Sequence, residues 1–172
     1  MTKEMTFNGV DLSRFLRITD IIRPIGNKRS VSIDSAPLLG VNIQQVKRGE
    51  KEHTIKFDMK TIDGAAMEQL KHELAGVLNV LEPVKITYGD EPDKYYMGMP
   101  VDDITPSNIT RWFQRSEFKI LIPDGVAHST AYKKFDSFSN ATISSDKMVF
   151  NLRNNGTVDA YPIVTVKHNA EN

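Results

Sequence analysis

Asn8-Gly9, set between the apolar Phe7 and Val10, constrains this chain before anything else in it. A two-residue type I′ turn needs positive φ at both central positions, and Asn-Gly reaches that region at the least steric cost. The chain therefore opens on a β-hairpin. Short apolar runs follow at residues 15–18, 21–22, 31–33, 38–39 and 41–43, separated by Gly26-Asn27 and Ser35-Ala36-Pro37. Arg23-Pro24 bars a continuing central strand, because proline has no N–H to give the ladder. In residues 53–59 the alternation is clean, with Ile55, Phe57 and Met59 on one face and Thr54, Lys56 and Asp58 on the other. That period of two marks a half-buried strand.

One helix interrupts the strands. Met67, Leu70, Leu74, Val77, Leu78 and Leu81 recur at spacings of three and four, which predicts a helix over residues 63–81. Asp63 is its N-cap, and Glu82-Pro83 ends it because the residue before proline avoids the α region. Strands resume at residues 84–88 and 95–101 around the acidic turn Gly89-Asp90-Glu91-Pro92-Asp93-Lys94, then at 109–114 and 117–122. Thr105-Pro106-Ser107-Asn108 and Pro123-Asp124-Gly125 read as turns. Residues 127–140 shift to small and polar types and read as a linker. Strands at 147–153 and 161–167 flank Asn154-Asn155-Gly156-Thr157. Two strands alone are marginal in water, so this last pair needs a further strand or a surface to pack on.

At 172 residues the chain is sized for one domain, or for one domain plus part of another. With no cysteine, disulfides and thiolate metal sites are excluded. The 22 basic and 22 acidic residues cancel, leaving no global electrostatic footprint for nucleic acid. No apolar run approaches the ~20 residues of a membrane helix. Residues 1–6 lack the apolar core of a signal peptide. The expectation is a soluble protein made inside the cell.

Chemical motifs are sparse. His72-Glu73 begins a zinc-protease helix, but Gly76 stands where the second histidine ligand belongs. His53, His72, His128 and His168 share no metal-ligand spacing and read as exposed polar residues. Asp90, Glu91 and Asp93 cluster, yet Pro92 and Lys94 spoil the ligand alternation of a calcium loop. No nucleophile elbow, phosphate loop or dinucleotide fingerprint occurs. No enzyme and no cofactor is the expectation. A hydrolase would need Asp90, Glu91 or Asp102 with His128 in one cleft. Tyr95, Tyr96, Trp112 and Phe113 either pack in the core on alternate strand faces or line a platform. With Tyr95, Tyr96 and Trp112 exposed together, the chain would be a carbohydrate-binding β-sandwich in host recognition. Lys28-Arg29 and Lys47-Arg48, the latter partly neutralised by Glu50 and Glu52, read as an interface rim. The charged run of residues 47–52 reads as a solvated hairpin tip.

Six segments resemble, in order, the distal tail proteins of long-tailed bacteriophages. Phe7-Asn8-Gly9-Val10-Asp11-Leu12-Ser13 resembles the opening of their N-terminal domain, and Ile18-Thr19-Asp20-Ile21-Ile22-Arg23-Pro24 the stretch after it. The helix lies where the family has its one helix. Asp90-Glu91-Pro92-Asp93-Lys94-Tyr95-Tyr96 is similar to its acidic-proline turn with paired tyrosines. Residues 118–125 are similar to the strand closing its first domain, and residues 154–166 to the entry into its galectin-like second domain.

The resemblance implies a mainly β fold: antiparallel sheet or sandwich packed on one amphipathic helix, with a projecting β-hairpin arm. It implies a ring-forming domain over residues 1–126, a linker over 127–140, and the first strands of a truncated second domain over 141–172. It further implies a structural virion protein, assembled in the host bacterial cytoplasm as a homo-hexameric ring at the end of the tail. Such a ring joins the tail tube protein to tail-tip or baseplate proteins, with no membrane partner, and the genome passes its lumen without specific binding. The arm would span residues 23–56 with its tip at 47–52. Lys28, Arg29, Val46, Lys47, Arg48, Glu50, Lys51 and Glu52 are then the candidate subunit-interface residues.

Overall fold

The structure, a computed structural model, describes residues 3–35, 40–131, 141–144 and 147–165. The chain divides into two compact units, Met1–Ala131 and Tyr132–Asn172. In the first, the strands are β1 (Met5–Phe7), β2 (Val10–Asp11), β3 (Arg17–Ile22), β4 (Arg29–Ser35), β5 (Val41–Arg48) and β6 (Lys51–Lys60). Helix α1 (Gly64–Leu78) follows, then β7 (Val84–Tyr88), β8 (Lys94–Val101), β9 (Ser107–Thr110), β10 (Phe113–Ile122) and β11 (His128–Ser129). The second unit contains β12 (Ala141–Ser144) and β13 (Lys147–Phe150), an antiparallel pair.

The opening turn forms as the sequence dictates. Asn8 and Gly9 take φ of 49° and 79°, and Phe7 pairs with Val10. From this hairpin an antiparallel sheet runs in the order β2-β1-β7-β8-β10-β6-β3, with β11 added to β8 and β9 to β10. The longest pairing is β6 with β10, ten residues in continuous register from Phe113↔Lys60 to Ile122↔Lys51. Period-two alternation puts Ile55, Phe57 and Met59 of β6 on the buried face with Phe118, Ile120 and Ile122 of β10. Met5, Phe7, Ile18, Ile86, Tyr88 and Tyr96 complete the sheet's share of the core.

Helix α1 covers this core with Met67, Leu74 and Leu78. Asp63 caps it, its Oδ1 accepting from Ala66 N–H at 2.8 Å. The helix stops three residues short of the predicted end. Asn79 leaves the helical region at ψ 75°, Val80 turns in against the core, and Leu81 is left exposed. Gly98 on β8 marks a close approach: a Cβ there would lie 2.5 Å from Ile122 Cδ1 and 2.9 Å from the Leu121 carbonyl oxygen.

Other expectations need correction. Ser107-Asn108 belong to strand β9, and the reversal falls later, at Arg111-Trp112. His128-Ser129 are not linker but a short strand on Tyr95 and Lys94. Residues 161–165 form no strand; among the described residues nothing pairs with them, and Pro162 has no N–H to offer. The run at Leu38-Leu39, residues 132–140 of the predicted linker, and Val166 to His168 lie outside the described residues.

Candidate functional surface

Strands β4 and β5 pair only with each other, and every side chain described on them is exposed. Their register sets Arg29 opposite Arg48, Val31 opposite Val46, Ile33 opposite Ile43 and Ser35 opposite Val41. Directly opposed residues share a face, so Val31, Ile33, Val41, Ile43 and Val46 form one apolar stripe. Ser30, Ser32, Asp34, Asn42, Gln45 and Lys47 fall on the other face. Simple alternation would break the stripe, because Val46 and Ile43 are three residues apart. A bulge between Ser32 and Ile33 on the partner side takes up the extra residue, Gln44, and returns Ile43 to the face of Val46. The Gln44 Nε2 donating to Asp34 Oδ2 at 3.4 Å on the polar face agrees with that assignment.

The stripe is uncovered. Val31, Ile33 and Ile43 keep 47%, 57% and 65% of their accessible surface. A two-stranded ribbon of this kind is marginal in water unless its apolar face packs on something.

The root of the ribbon is firmly tied. Gly49 N–H donates to the Lys28 carbonyl at 2.8 Å, and Lys28 N–H donates to the Glu50 carbonyl at 3.1 Å. Asn27 Nδ2 donates to the Gly49 carbonyl at 3.0 Å, and Lys28 Nζ meets Glu50 at 3.0 Å. The run 47–52 is therefore the base of the arm and not its tip; the chain reverses between Ser35 and Val41. Of the predicted interface residues, Arg29, Val46, Lys47 and Arg48 lie on the ribbon. Lys28, Glu50, Lys51 and Glu52 lie at its root, where Glu50 is held by Lys28 and Glu52 lies 3.9 Å from Lys119.

Just before the root, Arg23 closes on the β7–β8 turn. Its Nη1 donates to Glu91 Oε2 at 3.0 Å, its Nη2 to Asp90, and its guanidinium lies over the Tyr88 ring at 5.0 Å. Beneath it is a cluster the sequence reading missed. His53 is buried, its Nδ1 2.8 Å from the Tyr88 hydroxyl and its ring edge-on to Tyr96 at 4.9 Å. The Tyr96 hydroxyl donates to Glu91 Oε2 at 2.9 Å. Burial, then the nearby charges of Arg23 and Lys51, lower His53 to about 4. Burial and the Glu91 contact push Tyr96 up to about 12, and burial raises Tyr88 as well. Burial alone would raise Glu91, but the Tyr96 hydrogen bond and the charges of Arg23 and Lys94 outweigh it and lower its carboxyl. His53 was read as an exposed polar residue. Its place in the β6 alternation, two residues before Ile55, was the available signal.

The other candidate groups are not brought together. Asp90 and Glu91 are engaged by Arg23, Asp102 meets Lys119 at 3.5 Å, and His128 Nε2 contacts Asp124 at 2.7 Å. Tyr96 is buried, while the Tyr95 ring stacks on His128 at 5.1 Å and takes the Lys85 ammonium over it at 4.8 Å. Tyr95, Tyr96 and Trp112 therefore make no common exposed platform. Among the described residues, no group of three or more His, Asp or Glu is placed to hold a metal ion, and no helix is long and apolar enough to cross a membrane.

Comparison with known proteins gives the fold its context. The Dit protein of phage SPP1, described as a paradigm of the hub adsorption apparatus in phages infecting Gram-positive bacteria, is 15% identical with a TM-score of 0.67. The similarity covers 75% of this chain and 53% of that one, so this chain spans about half the length of that protein. The likeness shows a shared fold. No curated protein sequence matches the chain. Residues 10–122, from the end of the opening hairpin to the last residue of β10, match the phage tail protein RIFT-related domain. The chain belongs to that family of phage tail proteins.

Proposed function

We infer that this chain is a structural subunit of the hub at the distal end of a phage tail, assembled as a closed ring of six copies in the host cytoplasm. The ring joins the tail tube protein on one face to tail-tip or baseplate proteins on the other, and leaves a lumen through which the genome passes without specific contact. The observation that carries this reading is the amphipathic ribbon of β4 and β5, whose apolar stripe has no cover on its own subunit. Family membership supplies the tail context, and the fold shared with the SPP1 Dit protein supplies the hub. In this reading the subunit interface centres on the stripe, flanked by Arg29, Val46, Lys47 and Arg48. Lys28, Glu50, Lys51 and Glu52 set the angle at which the arm leaves the sheet.

Light scattering over a concentration series tests the proposal. The expected result is a discrete six-copy species that falls to monomers when Val31 and Ile43 are both changed to serine. A wild-type chain that stays monomeric at high concentration, or assembly indifferent to the double change, overturns it.

A further inference from the structure

Three parts of the first unit meet at the β7–β8 turn, residues 89–94. The chain entering the ribbon is held there by Arg23, whose guanidinium engages both Asp90 and Glu91. The chain leaving the unit is held there by Thr130, whose N–H and Oγ1 both donate to the Asp93 carbonyl, at 2.9 and 3.0 Å. Within the turn, Lys94 N–H donates to the Glu91 carbonyl at 3.1 Å. The Glu91 carboxylate joins the parts: it accepts from Arg23 at 3.0 Å, from the Tyr96 hydroxyl at 2.9 Å and from Lys94 Nζ at 3.5 Å. Behind this turn lies His53, on Tyr88 and Tyr96.

We propose that these groups form an acid-released latch: with His53 neutral the turn stays shut on Arg23 and Thr130, and a proton on His53 opens it, freeing the chain at both junctions. The latch lies within one subunit, so its test is independent of the ring. Geometry carries it. His53 and Tyr88 each keep 1% of their accessible surface and Tyr96 keeps 7%, so a charged imidazole there is cut off from solvent. Its Nδ1 partner, the Tyr88 hydroxyl, is uncharged.

The neighbours on each side make that charge unwelcome. Arg23 comes from the segment after β3, and Lys51 from β6 itself, two residues back on the same face. Strands β7 and β8 offer the neutral phenols of Tyr88 and Tyr96, and β10 sets Ile120 opposite His53 with nothing ionisable. The turn supplies Asp90 and Glu91, but Arg23 already engages both. Repulsion from Arg23 and Lys51 outweighs the attraction of Glu91, and burial acts in the same direction. Releasing the turn admits water to the ring and lets Arg23 move away, which relieves both costs.

Amide exchange followed by NMR, corrected for its intrinsic pH dependence, reads the latch at Lys94 and Thr130 and the core at Ile55 and Ile120. In the wild type, Lys94 and Thr130 are expected to exchange through an opening far more frequent than the one that exposes the core. That opening is expected to be more than about tenfold more frequent at pH 5 than at pH 7, because His53 titrates at about 4 when shut in and at 6.5 when released. The Glu91 carboxyl, held below its ordinary 4.5, stays charged at both values. His53→Gln is expected to keep the turn as protected at pH 5 as at pH 7. Arg23→Gln is expected to raise turn exchange at pH 7 by about tenfold or more. Turn amides that exchange only with the core, a wild-type opening indifferent to pH, or a pH dependence that survives in His53→Gln would each overturn the proposal. So would an Arg23→Gln chain whose turn stays fully protected at pH 7. Should His53→Gln fail to fold, the wild-type comparison and Arg23→Gln decide alone.

Discussion

Strand β6 and the ribbon of β4 and β5 carry the same kind of sequence and meet opposite fates. Both alternate branched or aromatic apolar residues with polar ones. In β6 the apolar set is sealed: Ile55 and Phe57 are fully buried in the core they share with Phe118 of β10 and with Met67, Leu74 and Leu78 of α1. In the ribbon, Ile33 and Ile43 remain more than half exposed. The pattern of a strand records that one face requires cover but not whose surface provides it. For β6, cover comes from the sheet and helix of its own chain; for the ribbon, the ring proposal supplies it from a neighbouring copy.

The contrast can be broken or sharpened by substitution. The largest effect is expected at Phe57, where Phe57→Ala leaves a cavity under Phe118 and costs about 3–5 kcal/mol in urea unfolding. Next comes Gly98→Ala, which drives a methyl into Ile122 and the Leu121 carbonyl and costs about 1–3 kcal/mol by the same measurement.

The His53 cluster is the third. Because the folded His53 titrates at about 4 rather than 6.5, the unfolded chain takes up the proton first as pH falls. Its stabilising contribution is complete above 6.5 and is lost toward 4, at up to about 1.4 kcal/mol per pH unit. Chemical unfolding of wild type and His53→Gln across that window should show the steeper slope in the wild type. The smallest change is expected from Val31→Ser with Ile43→Ser. Measured on monomers, it should shift stability by no more than about 0.5 kcal/mol per site, as for other surface changes. Under the ring proposal the same pair abolishes assembly, so a large loss of monomer stability would mean that the stripe is covered within the subunit.

Much of the subunit was legible because local chemistry and tertiary packing agree. Asn8-Gly9 admits few other conformations, Asp63 caps the helix it precedes, and the β6 alternation names its buried face. Legibility failed where tertiary context decided. The helix pattern runs on to Leu81, yet Val80 finds the core and Leu81 does not. The run 47–52 has the charge and glycine of a solvated tip, but it is the crossing from arm to sheet, and its glycine is fixed by Lys28. Gln114 and His53 share the parity of their buried neighbours and face the interior despite their polarity. Composition argued for exposure and register overruled it. The hairpin of β4 and β5 lies within the segment 23–56 expected to form an arm, but that segment also took in the start of β6, and the ribbon's amphipathic character depended on a bulge that no periodicity count detects.

That bulge gives the arm a reading frame. Deleting Gln44 would set Ile43 two residues from Val46, so plain alternation would keep the stripe and the bulge would be dispensable. Deleting Asn42 instead would leave every apolar side chain in the ribbon, yet turn Val41 to the side of Ser32 and Asp34. A one-residue insertion elsewhere in β5 would likewise shift the residues beyond it to the opposite face, and a compensating deletion nearby would restore the stripe. Under the ring proposal, recognition by the arm is governed by phase as well as content, so subunits with similar arm compositions would still be mutually unreadable.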